Sequence, residues 1–323
     1  MDVLTRIRKP IERELADFEV LFDIVLRHRN PILEVALRHI FSRKGKMMRP
    51  ILTLLSAKKC GEVNEAVLHA AVSLEMLHTA SLVHDDVVDE SGLRRGQSSV
   101  NALLDNKAAV LVGDYLLSTA LEHAARTGSL RVVELVSLLG KMLSDGELQQ
   151  LSNVKSDVIT EEQYFDVIRH KTASLFTICA EVGALLSGAS EQDVRRVRDF
   201  GEYVGLCFQI RDDIFDYYDK EVGKPTGNDM KEGKLTLPVV HAVLQPGAEQ
   251  WYDVAMRVRS GEASDEEIAA LVDFTKRSGG IDYAYRKMDE IRLRALEMVG
   301  EDDRSEVAES LRMYLDFVLK RTS

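Results

Sequence analysis

Apolar side chains recur at the spacing of an α-helix along most of the chain. Long stretches rich in Ala, Leu, Glu, Arg and Val favour helices, and no segment shows the alternating pattern of a β-hairpin. The pattern predicts an all-α protein of ten or more helices. No composition shift marks a boundary, so residues 1–323 are predicted to form a single helical domain. One long stripe, which runs through the position of Asp85, consists of Val67, Ala70, Ala71, Leu74, Leu77, Ser81 and Val88.

Capping and helix-breaking residues predict where several helices begin and end. Residues 2–29 are predicted to form one amphipathic helix that stops near Asn30. Residues 219–234 contain three glycines, one proline and no apolar period, which predicts a loop and a candidate lid. The spacing of a capping box predicts helix starts at Thr160–Gln163 and Ser264–Glu267.

Three aspartates lie at the end of the apolar stripe. Asp85 and Asp89 are four residues apart, so their carboxylates share one helix face, with Asp86 beside them. Like charges at this spacing repel each other, and a hard cation reverses the sign of that interaction. Mg²⁺ binds a few carboxylates together with water and substrate phosphates. Arg94 and Arg95 follow and supply donors suited to phosphate oxygens.

The same arrangement recurs in residues 205–216, where an apolar helical run ends in Asp212, Asp213 and Asp216. Asp212 and Asp216 are the pair four residues apart. A single acidic cluster on a helix is usually a solvated face. Two copies, each inside a hydrophobic helix and each followed by basic residues, indicate a diphosphate bound through Mg²⁺.

The residues around these clusters distinguish two kinds of metal chemistry. Glu75 and His78 form the Glu-x-x-His pair used by di-iron bundles, which also need a second such pair and two further glutamates. No convincing second pair is present, which argues against a di-iron centre. A magnesium diphosphate site suits the departure of pyrophosphate, because cations stabilise the charge on the leaving group. Departure leaves a carbocation, which an apolar helical cavity shields from water.

The net charge and the cysteine content limit the possible binding partners and the possible cellular compartment. The net charge of -11 argues against a nucleic-acid binder, and it makes local Arg and Lys clusters informative about an anionic substrate. The three cysteines lie in apolar contexts without a pairing pattern, which indicates a reducing compartment. Neither a signal peptide nor an uncharged apolar stretch long enough to span a bilayer is recognised, so a cytoplasmic protein is expected.

The motifs together resemble those of trans-prenyl diphosphate synthases, in particular the long-chain, octaprenyl- or solanesyl-type branch. The resemblance runs from Gly45 to Pro238. It includes DDVVD with the following RRG, the GDYLL run at Gly113, KTA at Lys171, FQIRDDIFD, and GK…GND…EGKLTLP. In this order the motifs are highly specific. The resemblance implies a single large helical bundle around a deep central cavity, the isoprenoid synthase type.

The reaction implied by the resemblance elongates an allylic diphosphate, such as farnesyl diphosphate, by successive trans 1'-4 condensations with isopentenyl diphosphate. Each step releases pyrophosphate, which is also the expected base. The expected product is a long-chain all-trans polyprenyl diphosphate for a quinone side chain. The alternatives are a short-chain (farnesyl or geranylgeranyl) synthase, a class I terpene cyclase, and a non-catalytic prenyl-lipid-binding subunit on the same fold. The paired arginines and both complete aspartate sets argue against the last two.

The resemblance also assigns roles residue by residue. The expected catalytic residues are Asp85, Asp86, Asp89, Asp212, Asp213 and Lys171. Magnesium, expected as three ions with the allylic diphosphate bound, is assigned to Asp85, Asp89 and Asp212. The allylic diphosphate is assigned to Arg94, Lys171, Thr172, Gln209, Lys224 and Lys234. Isopentenyl diphosphate is assigned to Lys46, Arg49, His78 and Arg95, with Phe208 near its alkene.

One segment departs from the family pattern. The family usually has Gly-Gly-Lys-Arg before its Arg-Pro, whereas Lys44 and Met47 stand here in place of the first glycine and the arginine. Lys46, Arg49 and Pro50 remain, so isopentenyl diphosphate is still expected to bind.

Control of the length of the prenyl product is assigned to the helix that precedes the first aspartate cluster. Ala80 and Ser81 are small and lie about one turn before Asp85, so a growing chain can pass them. Leu77 lies about one turn deeper. Family members that stop at short products tend to carry bulky aromatics here, which predicts a long product in the octaprenyl to solanesyl range.

Some assignments retain an alternative interpretation. His78 also fits a hydrogen-bonded core histidine, and Thr172 and Gln209 also fit polar packing between helices. The expected partners are the two diphosphate substrates and a second copy of the chain, with delivery of the product at a membrane surface. No transmembrane segment and no nucleic-acid partner are expected.

Overall fold

The computed structural model describes residues 2–42, 45–94, 96–153, 156, 158–218 and 227–320. The regular structure in this part of the chain is almost entirely helical, which confirms the predicted all-α class of ten or more helices. The α-helices are α1 (Val3–Arg8), α2 (Glu12–Val25), α3 (Pro31–Phe41), α4 (Met48–Cys60), α5 (Glu65–Val88), α6 (Val100–Leu103), α7 (Asn106–Arg126), α8 (Leu130–Asn153), α9 (Glu161–Ile168), α10 (Ser174–Leu186), α11 (Glu191–Phe215), α12 (Asn228–Lys231), α13 (Leu237–Val243), α14 (Glu249–Ser260), α15 (Asp265–Arg277), α16 (Gly280–Val299) and α17 (Glu306–Lys320).

Short elements other than α-helices interrupt the helical pattern in the described residues. A 3₁₀ turn, Lys9–Ile11, lies between α1 and α2, and a π-helical turn, Arg169–Ala173, lies between α9 and α10. Strands β1 (Leu93–Arg94) and β2 (Gln97–Ser98) form a small antiparallel hairpin with Arg94 opposite Gln97. Each strand has only two residues, too few to show an alternating pattern, so the sequence carries no signal for this hairpin.

Contacts divide the chain into two compact units, each built from several stretches. The first unit contains Met1–Lys141, Leu175–Gly201 and Met298–Tyr314. The second unit contains Met142–Ser174, Glu202–Glu297 and Leu315–Ser323. The single-domain organisation stays a prediction.

The core of the first unit is built around α5, which packs against α2, α4 and α7. Small side chains such as Ala70 and Ser73 are fully buried and let α7 approach closely. The Ser73 hydroxyl donates to the carbonyl oxygen of Ala120 across this contact, at 2.7 Å. The predicted stripe is buried along most of its length, but Val88 is 77% exposed because α5 ends there.

Helix α5 is also long and apolar enough, by length and composition, to cross a membrane. It spans 24 residues, and 67% of its most apolar window is buried inside the protein. Burial of this extent is what the core helix of a globular unit shows. It accounts for the apolar composition without a bilayer.

The second unit contains helices α13, α14 and α15, which pack on one another. Trp251 of α14 stacks on Phe274 of α15 with ring centroids 4.6 Å apart. The guanidinium of Arg259, only 8% exposed, donates to the carbonyl oxygen of Val158 at 2.6 Å. This bond ties the chain just before α9 to α14.

Two helix boundaries differ from the sequence prediction. The helix expected over residues 2–29 is interrupted at the 3₁₀ turn, because Pro10 has no N–H and its ring clashes with the preceding helical turn. Of the predicted loop over residues 219–234, residues 219–226 lie outside the described part of the chain. The remainder contains the short helix α12, with Gly227 as its N-cap in the left-handed region at φ 78°. Both predicted capping boxes, Thr160–Gln163 and Ser264–Glu267, are confirmed with both of their hydrogen bonds.

Candidate active site

The first aspartate cluster lies at the C-terminal end of α5. The peptide dipoles place partial negative charge at this end, so carboxylates here are electrostatically disfavoured without a cation. Asp89 is the C-cap residue and is exposed, whereas Asp85 is half-buried. Of the three residues that the sequence analysis assigned to magnesium, these two lie in the first cluster, and both keep contact with solvent.

Asp86 has a different environment from its two neighbours. It is only 3% exposed, and the Arg94 guanidinium donates to its Oδ1 atom through Nε, at 2.8 Å, and through Nη2. Asn101 donates its side-chain N–H to the Asp86 carbonyl oxygen at 3.2 Å. Asp86 therefore fixes the β1 strand to the end of α5, and its carboxylate already has a cationic partner.

The GDYLL run explains how α7 approaches the first cluster. A Cβ atom on Gly113 would lie 2.2 Å from Nε2 of His84, so only glycine leaves room for that ring. His84 Nε2 lies 3.3 Å from the carbonyl oxygen of Val110 and 3.4 Å from a carboxylate oxygen of Asp114. The residue directly before Asp85 is thus fixed against α7.

The Lys46–Arg49 segment leads into α4, and its backbone is strained. Met47 has φ 52° and ψ 37°, in the left-handed region, which costs a residue with a Cβ atom about 1–2 kcal/mol. Arg49 donates from Nε and Nη2 to the two carboxylate oxygens of Glu75, at 2.8 and 2.9 Å. Burial acts against the charge of Arg49, but Glu75 outweighs it and raises the pKa of Arg49.

Glu75 thus has a role that the sequence analysis did not assign. It was considered only as half of a di-iron motif, whereas the structure shows it as the partner of Arg49. His78 lies about one turn further along α5 and is half-buried. Lys46, Arg49 and His78 are therefore all carried by the first unit, on the start of α4 and on α5.

The second aspartate cluster ends α11, in the second unit. Asp213 is 3% exposed and accepts a hydrogen bond from the Tyr164 hydroxyl at 2.6 Å. Gln209 donates to the other carboxylate oxygen of Asp213 at 2.7 Å, and Thr172 donates to Gln209 at 2.7 Å. Burial, with help from the charge of Asp229, raises the pKa of Asp213 to about 8 although these donors act to lower it.

A further carboxylate, Asp229 of α12, belongs to the same cluster. Its pKa is raised to about 6, first by burial and then by the charge of Asp216. Asp216 itself accepts the backbone N–H groups of Asn228 and Asp229, each at 3.1 Å. Asp212 adds to the repulsion at both Asp213 and Asp229. Negative charge thus accumulates here beyond what the neighbouring groups neutralise.

Two lysines border this carboxylate cluster. Burial acts to raise the pKa of Glu232, but the hydrogen bond and charge of Lys234 lower it, and Lys171 also contributes. Lys171 Nζ donates to Gln150 at 3.2 Å and forms an ion pair with Glu147. Cations and carboxylates therefore converge in the second unit, as a site for a metal-bound anion requires.

Lys171 and Thr172 lie on the π-helical turn, and two glycines make room for it. A Cβ atom on Gly205 would lie 2.5 Å from the Cα atom of Ala173, and one on Gly146 would lie 3.1 Å from the Lys171 backbone nitrogen. Single π turns occur frequently at functional sites. Close packing on both sides fixes the backbone that carries the two candidate ligands.

The donor set can be tested for its fit to magnesium. All candidate ligands are carboxylate oxygens, which Mg²⁺ prefers, and the repulsion at Asp213 and Asp229 is the kind a divalent cation relieves. Among the described residues, no three His, Cys, Asp or Glu side chains converge as a preformed metal site. The chemistry of these carboxylate donors fits Mg²⁺. The assignment of the metal to Asp85, Asp89 and Asp212 stays a prediction.

A comparison with known families identifies the family of this chain. A family model described as polyprenyl synthetase matches residues 30–274. The chain belongs to the polyprenyl synthetase family. It is 36% identical over 254 residues to the octaprenyl diphosphate synthase of Escherichia coli, a match that covers 78% of each chain. The resemblance drawn from the motifs is thereby confirmed.

Solved structures of this family have the same fold. A geranylgeranyl pyrophosphate synthase from Bacteroides thetaiotaomicron is 48% identical, with a TM-score of 0.87 over 99% of this chain and 100% of that one. A decaprenyl diphosphate synthase from Rhodobacter capsulatus is 34% identical, with a TM-score of 0.89 over 99% of both chains. The all-α isoprenoid synthase fold is confirmed, and the protein is a prenyl diphosphate synthase, a transferase of alkyl groups.

The remaining assigned residues differ in how far the structure describes them. Arg95 and Lys224 lie outside the described residues. Phe208 and Asp212 share one face of α11, four residues apart. Glu75 in the first unit, and Tyr164 and Asp229 in the second, interact with assigned residues but were not assigned from the sequence. The only sequence signal for Tyr164 is its position just after the Thr160 capping box, and Asp229 stood inside the GND motif without a role.

Proposed function

We propose that the protein makes a long-chain all-trans polyprenyl diphosphate from isopentenyl diphosphate and an allylic primer such as farnesyl diphosphate. The match to the polyprenyl synthetase family over residues 30–274, with both aspartate motifs complete, carries this proposal. A non-catalytic subunit would be expected to have lost aspartates, and a terpene cyclase has no need for two arginines after the first motif. The product is proposed to supply a quinone side chain.

The proposed roles follow the two substrates. Asp85, Asp89 and Asp212 bind magnesium, which when present neutralises the charge on the leaving diphosphate. The residues proposed to hold the allylic diphosphate are Arg94, Lys171, Thr172, Gln209, Lys224 and Lys234. The residues proposed to hold isopentenyl diphosphate are Lys46, Arg49, His78 and Arg95, with Phe208 against its alkene. Released pyrophosphate takes the proton that the new double bond gives up.

Asp86 and Asp213 are proposed to act by supporting these ligands. Each is buried and bonded to a donor, Arg94 and Tyr164 respectively. A carboxylate so engaged has less capacity for a metal ion than the more accessible Asp85, Asp89 and Asp212.

Product length is proposed to depend on α5 just before Asp85. Ala80 and Leu77 are almost fully buried, and Ser81 is half-buried with its hydroxyl donating to the His78 carbonyl oxygen at 2.9 Å. Small side chains at Ala80 and Ser81 leave space for a long chain. The short-chain alternative is favoured by one observation, the 48% identity to a structure described as a geranylgeranyl pyrophosphate synthase.

The proposal includes a homodimer in the cytoplasm that passes its product to a membrane surface. Cys60, Cys179 and Cys207 are all free thiols, as in a reducing compartment. Burial raises the pKa of Cys179 and of Cys207 to about 12, so neither is a reactive thiolate.

The reaction class can be tested with purified protein, Mg²⁺, farnesyl diphosphate and radiolabelled isopentenyl diphosphate. Label in a longer prenyl diphosphate, lost when a chelator removes Mg²⁺, is the expected result. A cyclic hydrocarbon formed from farnesyl diphosphate alone would identify a terpene cyclase. Binding of the prenyl substrate without any product would identify a carrier or a subunit that needs a partner.

A further inference from the structure

The segment proposed to bind isopentenyl diphosphate is held by contacts from both terminal helices of the first unit. The Arg8 guanidinium of α1 donates to the carbonyl oxygen of Lys46 at 2.9 Å. The Tyr314 hydroxyl of α17 donates to the carbonyl oxygen of Met48 at 2.9 Å. The two bonds fall on either side of Met47, the residue with left-handed backbone geometry.

The bonds made by Arg8 and Tyr314 stabilise the strained backbone at Met47. A methionine in the left-handed region is stable only where its surroundings over-determine it. The bonds made by Arg8 and Tyr314 fix the two carbonyl groups that flank it. They thereby hold the backbone from Lys46 to Arg49 in a single conformation, with the strained residue Met47 between the two cations.

Tyr314 also belongs to the buried surroundings of Arg49. Its side chain is fully buried, and burial raises its pKa well above the ordinary value while the nearby Arg49 charge opposes that shift. Glu75 fixes the guanidinium of Arg49, and Thr53 donates to the Arg49 carbonyl oxygen at 3.1 Å. The start of α4 is therefore fixed by Glu75 of α5 and Tyr314 of α17, with the Thr53 bond lying within α4 itself.

The terminal helices are themselves neighbours. Lys9 Nζ lies 2.9 Å from a carboxylate oxygen of Glu306, and Arg6 lies 3.4 Å from Glu309. Both Arg8 and Tyr314 lie outside residues 30–274, the part of the chain that the family model matches. Neither helix carries an assigned substrate or metal ligand.

We propose that Arg8 and Tyr314 are positioning residues for isopentenyl diphosphate, which hold Lys46 and Arg49 in the geometry that receives its diphosphate group. This rests on the proposed substrate role of Lys46 and Arg49. Loss of either bond frees the backbone around Met47 to leave its strained conformation, and the two cations then no longer present a fixed pair of donors. The allylic substrate is bound by other residues and is unaffected.

The test measures steady-state KM for each substrate in Arg8→Gln and Tyr314→Phe. The expected result is a rise of about fivefold to tenfold in KM for isopentenyl diphosphate, with KM for farnesyl diphosphate within about twofold of wild type. A tenfold change corresponds to the loss of about one hydrogen bond. Equal changes in both KM values, or no change in either, would overturn the proposal.

Matched controls separate positioning from general destabilisation. Arg312→Gln removes a guanidinium that also donates to backbone carbonyl oxygens, those of Gly300 and Asp303. Tyr252→Phe removes a hydroxyl that bonds to the backbone N–H of Ile159. Both controls should leave the two KM values unchanged, even where they lower the melting temperature. A selective rise in KM for isopentenyl diphosphate in either control would overturn the proposal.

Two further variants make the test independent of folding and of the proposed function. Arg8 is half-buried, so Arg8→Gln serves if Tyr314→Phe does not fold. Adding Met47→Gly to either variant should lower KM again, because glycine takes the left-handed conformation without strain; an unchanged KM would overturn the proposal. Lys46→Ala tests the substrate role itself. If it raises KM for isopentenyl diphosphate and the positioning variants do not, only the positioning proposal is wrong; if it has no effect, the substrate role is wrong.

Discussion

The Tyr164 hydroxyl donates to a buried carboxylate oxygen of Asp213, 2.6 Å away, across 49 residues of sequence. The bond links the start of α9 to the second aspartate motif on α11. Because Gln209 holds the other oxygen of Asp213, the carboxylate has one fixed orientation. Tyr164 therefore sets the geometry of the motif from outside it.

Removal of this hydroxyl should destabilise the protein and reduce its activity. Tyr164→Phe leaves a buried acceptor without its donor, which should lower the free energy of unfolding in urea by about 1–3 kcal/mol. We also expect a lower kcat, because the motif loses its fixed geometry. Tyr252→Phe is the matched control, with a stability loss but an unchanged kcat. Wild-type kcat in Tyr164→Phe would show that the bond serves stability alone.

The two aspartate motifs should behave as cation sites. Asp85→Asn and Asp212→Asn keep the shape of the side chain and remove one negative charge, and each should lower kcat about a hundredfold or more. The exposed Asp253→Asn is the control. Near-normal turnover in both motif variants would mean that the clusters are surface features.

Product length should respond to side-chain volume on α5. Ser81→Phe and Ala80→Phe should shorten the final product by several isoprene units and leave the first condensation intact, since the added ring obstructs the path of the chain and not the metal ligands. Leu77→Ala should lengthen the product, at a cost of about 2–5 kcal/mol in stability. Chromatography of radiolabelled products measures all three. Wild-type lengths in both phenylalanine variants would place the path of the chain elsewhere.

Stability should fall in mild acid because of a buried histidine pair between α5 and α7. The Nδ1 atoms of His69 and His123 lie 3.0 Å apart, and both side chains are nearly inaccessible. Burial lowers the pKa of both; for His123 the pKa falls to about 4, and the charges of His69 and Arg126 add to this effect. Glu65 and Glu122 act in the opposite direction but do not outweigh burial.

The direction of this pH dependence of stability follows from whether the folded or the unfolded state binds the proton more tightly. A histidine in the unfolded chain has an ordinary pKa near 6.5, so between about pH 6.5 and 4 only the unfolded state is protonated at His123. Between pH 7 and 5 the unfolding free energy should therefore fall by about 2 kcal/mol from this residue alone. Urea unfolding of His123→Gln should show a smaller fall, whereas the exposed control His28→Gln should match wild type. Equal pH dependence in all three would contradict this assignment.

The sequence predicted the parts of the protein that depend on local pattern. The capping boxes at Thr160 and Ser264 need only residues three apart, and the helix that ends at Asp85 follows from its own apolar stripe. The interruption at Pro10 was missed, because the apolar period continues through it.

The parts that depend on distant residues could not be predicted from pattern. Glu75 lies 26 residues from Arg49, and no local spacing distinguishes a partner for a buried arginine from a metal ligand. The contact between Tyr314 and Met48 spans 266 residues and exists only after the first unit has folded. Family motifs identified the candidate ligands, whereas the residues that orient those ligands became visible only in three dimensions.

The most direct test of the long-chain assignment is the mass of the final product made by the wild-type protein. Purified protein should be incubated with Mg²⁺, farnesyl diphosphate and excess isopentenyl diphosphate until elongation stops, and the dephosphorylated alcohols analysed by mass spectrometry. We predict a final product in the octaprenyl to solanesyl range, with shorter prenyl diphosphates appearing only transiently. Accumulation of geranylgeranyl diphosphate as the end product, with no longer chains at any time, would contradict the assignment.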